Sequence, residues 1–318
     1  MSSTIHSRLS RRSFIERTAA AGAAIACAPS LTWAAETASL PLITKAIPKS
    51  GEKLPVIGLG TNAYGVSDPA EIAARREVLK RFPELGAKVI DTARAYGDSE
   101  PVIGRLLKEL GNRDQVFLAT KTSIRGAIEP GERELQIAFD RLQTDKIDLM
   151  QIHNFHETDS LFPRFLEWKQ AGKVRYLGVT TSMDSQYPQM KDALNKLPLD
   201  FIQVDYSIDN RSAADEILPL AQEKGVAVLI NVPLGGRRGN VLSRVSGQPL
   251  PDWAGEIDVT SWAQLMLKYN VSHPAVTAVI PGMTKIAHLE DNQRAGRGRL
   301  PDAAMRKRIE QYWDSLPS

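Results

Sequence analysis

Gly58-Leu59-Gly60-Thr61-Asn62-Ala63-Tyr64-Gly65 follows the first apolar run of the chain, Pro55 to Thr61, and its glycine spacing decides between two folds. A dinucleotide loop on an open, doubly wound sheet needs G-x-G-x-x-G, the third glycine letting helix and strand pack closely. Here that third position is Ala63, and the next glycine is Gly65. The third glycine of that signature is therefore missing at the required spacing. Seven more short apolar runs follow: Lys88 to Ala93, Val116 to Lys121, Asp148 to Asn154, Tyr176 to Ser182, Phe201 to Ser207, Ala227 to Leu234 and Val276 to Gly282. Between them lie amphipathic stretches with helical spacing, such as Ile103, Leu106, Leu107 and Leu110. Alternation of this kind implies parallel strands with helical crossovers, and eight units of about 30 residues fit a closed (β/α)8 barrel. The expected class is α/β, a (β/α)8 TIM barrel.

Working outward, Ile43 to Ile47 and Leu54 to Ile57 flank Pro48-Lys49-Ser50-Gly51 and predict an N-terminal β-hairpin that plugs the barrel bottom. The seventh unit carries a Gly- and Pro-containing insertion, Gly235 to Asp258, and Pro301 to Trp313 predicts an extra C-terminal helix. The 318 residues are 42% hydrophobic and 24% charged, a globular composition. One cysteine excludes a disulfide framework and any multi-thiolate metal site. The formal charge of +3 resides wholly in residues 1–34, where Arg8, Arg11, Arg12 and Arg17 face Glu16; what remains is 36 basic and 36 acidic side chains. A neutral body argues against nucleic acid or an anionic membrane as partner.

Residues 1–34 read as an address. Ser10-Arg11-Arg12-Ser13-Phe14-Ile15 precedes an uncharged, Ala-rich stretch from Thr18 to Trp33, and at 16 residues this is shorter than the roughly 20 that span a bilayer. Thr32 and Ala34 form an A-x-A-like cleavage site. The segment resembles a bacterial twin-arginine signal, departing from its usual pattern at Glu16. The alternatives are a basic tail, or a lipoprotein signal through Cys27, whose preceding residues Ala24-Ile25-Ala26 lack the usual Leu. The expected organisation is a signal peptide over 1–34 and the barrel over 35–318, exported folded by the twin-arginine translocase to the periplasm without a stable membrane anchor. Export of a folded chain also suggests a cofactor loaded beforehand.

In a (β/α)8 barrel the active site forms at the carboxyl ends of the strands. Four polar side chains fall there: Asp91 in the second run, Tyr96 in the loop after it, Lys121 closing the third and His153 near the end of the fourth. Singly, a lysine at a strand end is a solvated group and a tyrosine in a loop is a packing residue. Together they make a proton-donor assembly. A phenol is a poor acid, with a pKa of about 10, and a nearby ammonium strengthens it by favouring the phenolate. Asp91 would hold Lys121 charged, and His153 would hydrogen-bond the carbonyl oxygen that Tyr96 protonates. Such a set suits reduction of a carbonyl by hydride from a nicotinamide.

With Gly58-Leu59-Gly60-Thr61, Ile90-Asp91-Thr92-Ala93-Arg94-Ala95-Tyr96-Gly97, Ala119-Thr120-Lys121, Gln151-Ile152-His153 and Ile280-Pro281-Gly282 in this order, the chain from about Leu54 to Asn292 closely resembles the aldo-keto reductases. The resemblance implies a barrel that binds NADPH in extended form across the strand ends. It assigns the catalytic tetrad to Asp91, Tyr96, Lys121 and His153. Cofactor contacts are implied at Gly60, Thr61, Asp91, Thr180, Thr181, Gln203, Asn231, Pro233, Leu234, Gly282, Thr284, Lys285, His288, Asp291 and Asn292. Gln203 matches the glutamine that holds the nicotinamide carboxamide. Thr180-Thr181 stands where Ser-Asn is usual, keeping a hydroxyl and losing an amide. Asn231 stands where many members stack an aromatic ring, and so has the ring edge to hydrogen-bond instead. His288 replaces the arginine for the adenosine 2′-phosphate, and Lys285 at a helix N-terminus supplies the charge, which keeps NADP ahead of NAD as cofactor. Arg237 and Arg238 follow the seventh strand as either a pyrophosphate clamp or a solvated pair.

Tyr64, Phe155, His156 and Trp253 lie in loops at the same barrel end and are expected to line the pocket for a small-molecule carbonyl substrate. Two other classes stay open. A non-catalytic nicotinamide-binding partner protein would share the barrel, although the intact tetrad speaks against it. A metal-dependent barrel enzyme would need clustered ligands, and of five histidines only His153 is placed for that.

Overall fold

The computed structural model describes residues 40–122, 132–236 and 239–317. The expected signal peptide and its boundary after residue 34 lie outside them, as do Arg237 and Arg238.

Strand β1 (Thr44–Ala46) pairs antiparallel with β2 (Lys53–Pro55), Lys45 opposite Leu54. The arms are shorter than the sequence suggests, because Ile57 is drawn into a parallel bridge with Val279 of the barrel. Ile47 and Leu54 are fully buried and join one cluster with Val89, Phe117, Phe201 and Leu229, so the hairpin does seal the barrel interior.

The barrel runs β3 (Leu59–Gly60), α1 (Pro69–Glu84), β4 (Val89–Asp91), α2 (Ser99–Leu110), β5 (Phe117–Lys121), α3 (Glu132–Leu142), β6 (Ile147–His153), α4 (Thr158–Gln170), β7 (Val174–Thr180), α5 (Tyr187–Lys196), β8 (Phe201–Asp205), α6 (Ile217–Glu223) and β9 (Ala227–Asn231). A small hairpin, β10 (Gly235–Gly236) with β11 (Gly239–Asn240), and α7 (Val241–Arg244) fall in the insertion, followed by α8 (Trp262–Ser272), β12 (Val276–Val279), α9 (Ile286–Arg294) and α10 (Ala303–Ser315). Strands β3 to β9 are hydrogen-bonded in sequence order, and β12 adds to β9, all parallel.

The glycines of the opening motif serve this closure. Gly60 bridges Gly282, and a Cβ at Gly60 would sit 2.6 Å from the Ile280 carbonyl oxygen; at Gly58 it would meet the Ile280 side chain across the seam at 3.0 Å and the Val89 carbonyl of β4 at 2.9 Å. No side chain fits where first and last strands meet. Start signals are equally local. Asp68 caps α1 by accepting from the Ala70 and Glu71 amides, with Pro69 in the first turn. Alternate barrel residues fill the inside, and the others pack the helices in a second, larger cluster that includes Phe82, Phe165 and Trp313. Among the described residues no helix is long and apolar enough to cross a membrane.

Candidate active site

Parallel register brings the carboxyl ends of β4, β5 and β6 side by side, aligning Asp91 with Ala119 and Lys121 with Gln151. The Lys121 Nζ lies 2.5 Å from Asp91 Oδ2 and donates to the Thr92 carbonyl at 2.8 Å. It also sits 5.1 Å from the centre of the Tyr96 ring. That ring meets His153 edge-on, centroids 6.1 Å apart at 89°. All four sequence-derived residues therefore converge.

The electrostatics follow from burial. Burial alone would lower the Lys121 ammonium, but Asp91 and then Tyr96 outweigh it, so the group is raised above its ordinary range and stays charged. Burial, and then the Lys121 charge, push His153 down to about 3 against a backbone contact at Thr122. The imidazole is neutral at physiological pH. Burial works to raise the Asp91 carboxyl, while Lys121, Gln203 and Gln151 oppose it. Gln151 Nε2 reaches Asp91 Oδ1 at 3.3 Å and Gln203 Nε2 reaches Oδ2 at 3.5 Å.

Several polar atoms at this mouth have no protein partner. Gln203 Oε1, Gln151 Oε1, Asn231 Oδ1 and His153 Nδ1 are buried and unpaired. A buried polar group left unsatisfied costs roughly 1–3 kcal/mol, so a cluster of four fits a polar ligand such as a nicotinamide and its substrate.

Comparison with known proteins agrees with this geometry. The aldo/keto reductase family model matches residues 56–314. The chain belongs to the aldo/keto reductase family. Membership makes it an NAD(P)-dependent oxidoreductase. It is 30% identical to the methylglyoxal reductase YeaE of Escherichia coli over 78% of this chain and 88% of that protein. It is 33% identical to the aldo-keto reductase YhdN of Bacillus subtilis, in a match that spans 55% of this chain and only 56% of that protein. Among solved structures, aldo-keto reductase AKR11C1 from Bacillus halodurans in its holo form superposes with a TM-score of 0.69 at 26% identity, covering 85% of this chain and 96% of that one.

Within this aldo/keto reductase the remaining sequence-derived residues divide. Thr180 ends β7 in register with Gln203, and Gly282, Thr284, Lys285 and His288 surround the start of α9, the last two exposed. Pro233 and Leu234 follow β9, with the Pro233 carbonyl accepting from Asn270 Nδ2 at 2.8 Å. Phe155 opens onto a groove of about 820 Å³ between α4 and α5, beside Glu157 and Asp192. His156 donates its amide to the His153 carbonyl.

Four expectations need correction. Tyr64 is wholly buried, its hydroxyl donating to the Met283 carbonyl at 2.8 Å, and therefore ties the first loop to the last instead of lining a pocket. Trp253 packs at 82° against Tyr312 beneath the Arg308 guanidinium, so its ring anchors the insertion to α10. Thr61 spends its hydroxyl on the Asp91 carbonyl at 2.8 Å and braces that strand end. Asp291 receives Ser261 Oγ at 2.7 Å and Gln264 Nε2 at 2.6 Å, which makes it the brace between α8 and α9; its neighbour Asn292 is buried.

Gln151 is the functional neighbour that sequence reasoning passed over. Its signal was available, since a polar residue two positions before His153 on one strand must face the same barrel interior. A second device lies at the same strand ends. Asn154 and Phe155 follow β6 with φ of 54° and 58°, and the β-branched Val232 follows β9 with φ of 50°. Left-handed backbone at such residues is costly and gathers at functional sites. Among the described residues no group of three His, Cys, Asp or Glu side chains could hold a metal ion.

Proposed function

We propose that this aldo/keto reductase reduces an aldehyde or ketone to the alcohol with NADPH, and that Asp91, Tyr96, Lys121 and His153 are its catalytic residues. The observation that carries the reading is the buried ammonium of Lys121, 2.5 Å from Asp91 and 5.1 Å from the Tyr96 ring. When bound, the nicotinamide supplies the hydride. The chain's own work is the proton. Tyr96 donates its hydroxyl proton to the carbonyl oxygen, and the Lys121 ammonium beside it stabilises the phenolate left behind. Asp91 keeps that ammonium charged and aimed. His153, neutral and edge-on to the phenol ring, offers an N–H to the same carbonyl oxygen and orients it.

The cofactor fits the polar atoms left unpaired at Gln203 and Asn231. A cavity of about 350 Å³ among Ser182, Asp184, Ser207, Asn210 and Gly235 gives the rest of the molecule a course along the ends of β7, β8 and β9. Lys285, exposed at the N-terminus of α9, and His288 offer the cations for a 2′-phosphate. A structural neighbour at 24% identity, an aldo/keto reductase from Klebsiella pneumoniae, was solved with NADP and acetate, and supports the same choice. The name of YeaE supports a small, reactive aldehyde as substrate class.

The test is Tyr96→Phe, which keeps the ring and removes only the donor. Turnover of NADPH with an aldehyde panel should fall by about 10²–10⁴-fold, the usual contribution of a general acid, with NADPH affinity unchanged. A variant as fast as the parent would remove Tyr96 from the role. If no carbonyl reacts with the parent protein while NADPH binds tightly, the non-catalytic partner protein is the better reading.

We propose in addition that residues 1–34 send the folded protein to the periplasm by the twin-arginine route, on the strength of Arg11-Arg12 before a mildly apolar stretch. Arg11→Lys with Arg12→Lys should leave the precursor in the cytoplasm; normal periplasmic recovery in cell fractionation would defeat the idea.

A further inference from the structure

Behind the strand ends, a buried carboxylate joins the segments that carry Tyr96 and Lys121. Glu100, in the first turn of α2, is fully buried, and both of its oxygens are used. Oε1 accepts from Thr120 Oγ1 of β5 at 2.6 Å, and Oε2 accepts from Arg141 Nε of α3 at 2.7 Å. The same guanidinium donates through Nη2 to the Gly97 carbonyl. Thr120 immediately precedes Lys121, and Gly97 immediately follows Tyr96. Strand alternation turns Thr120 away from the face that Lys121 occupies, so the linkage reaches both groups from the helix side of the barrel.

The frame around this linkage is tight. Helices α2 and α3 meet backbone to backbone, since a Cβ at Gly104 would lie 2.4 Å from the Leu142 carbonyl. Arg94, between Asp91 and Tyr96, pairs with the buried Glu134 of α3 at 2.7 Å, and Ser99 Oγ donates to the Thr61 carbonyl at 2.5 Å. A buried ion pair adds little stability over apolar side chains of the same volume. What Glu100 and Arg141 supply is direction. The guanidinium is a planar fork whose donors keep a fixed separation, and here two of them hold acceptors from different segments of the chain.

We propose that Glu100 and Arg141 are positioning residues, a buried ion pair that sets the Tyr96 phenol against the Lys121 ammonium without touching substrate or cofactor. The proposal rests on the reading of Tyr96 as the proton donor.

The test is a double-mutant cycle on the full chain, read by steady-state turnover of an aldehyde with NADPH and by fluorescence titration of NADPH. Arg141→Met should lower kcat by about 10–100-fold and leave NADPH affinity within about twofold, because a reacting group displaced by about 1 Å costs up to about 10²-fold. In the Tyr96→Phe background the same substitution should cost less than about threefold, since no hydroxyl remains to be misplaced. Arg141→Lys keeps a cation beside Glu100 but has no fork to reach Gly97 as well, and should lose about 3–10-fold, again only where Tyr96 is present. This milder variant, measured in both backgrounds, decides the matter if the methionine variant does not fold. Parent-like kcat in the folded variant, or an equal loss in the two backgrounds, would mean that the pair only braces the helices and would overturn the proposal. Tyr96→Phe turning over as fast as the parent would instead bring down the proton-donor reading beneath it.

Discussion

Lys121 and Lys268 are both almost fully buried, and they differ in what faces the ammonium. Lys268, on α8, donates to the carbonyls of Ile257, Arg297 and Arg299, each at 2.7 Å. Burial is the main influence on it and lowers it to about 8, opposed by Asp258 and reinforced by Arg299. It is a clamp, joining the insertion and the segment after α9 to one helix. Lys121 faces a carboxylate under a phenol ring and is raised instead. Burial of a charge is thus shared by a structural fastener and a candidate proton relay. The charge of the nearest partner separates them.

The sharpest way to break this comparison is to remove each ammonium with the same substitution. Lys121→Met should cost about 10²–10⁴-fold in turnover, since the phenol loses the cation that stabilises its phenolate. Lys268→Met should leave turnover near the parent value and instead lower unfolding free energy by about 2–4 kcal/mol, because three carbonyls are left without a donor. Denaturant unfolding and steady-state rates on the two variants check both. A Lys268 variant that is inactive but stable would erase the distinction.

A smaller effect sharpens it through pH. His153 titrates near 3 in the folded protein against 6.5 for an ordinary histidine, chiefly through burial and then the Lys121 charge. Between those values the unfolded chain binds a proton that the folded chain refuses, so stability falls as pH drops through that window. The loss attributable to His153 from pH 6.5 to 5 should be about 2 kcal/mol. His153→Gln should therefore show a shallower decline in its urea midpoint over that interval. His273, lowered to about 4 by burial, then Arg306 and Lys45, remains in both proteins and sets a common background. Identical slopes would show that the Lys121 site does not hold His153 neutral.

Legibility differed sharply across the molecule. Apolar runs and turn residues were enough for the barrel, since the period of each element is a local property. The four polar residues at strand ends were equally plain, because barrel architecture fixes which end carries the chemistry. Loop aromatics were not. Tyr64 and Trp253 look like pocket residues by position, and each is claimed by a distant partner, Met283 in one case and Tyr312 in the other. Asp291 was misjudged in the same way, through Ser261 and Gln264 some thirty residues upstream.

The sequence by itself determined the alternation of strand and helix, the hairpin ahead of it and the identity of the Asp91, Tyr96, Lys121 and His153 set. These depend on spacing within one element or on the order of elements. Only the tertiary structure decided that Gly58 and Gly60 are required by barrel closure, that His153 is neutral beside the charged Lys121, and that Gln203 and Asn231 present their oxygens unpaired. The physical reason is common to all three. Close approach, desolvation and hydrogen-bond satisfaction depend on what a neighbouring strand brings within about 3–4 Å, and that distance is set by closure of the barrel rather than by position along the chain.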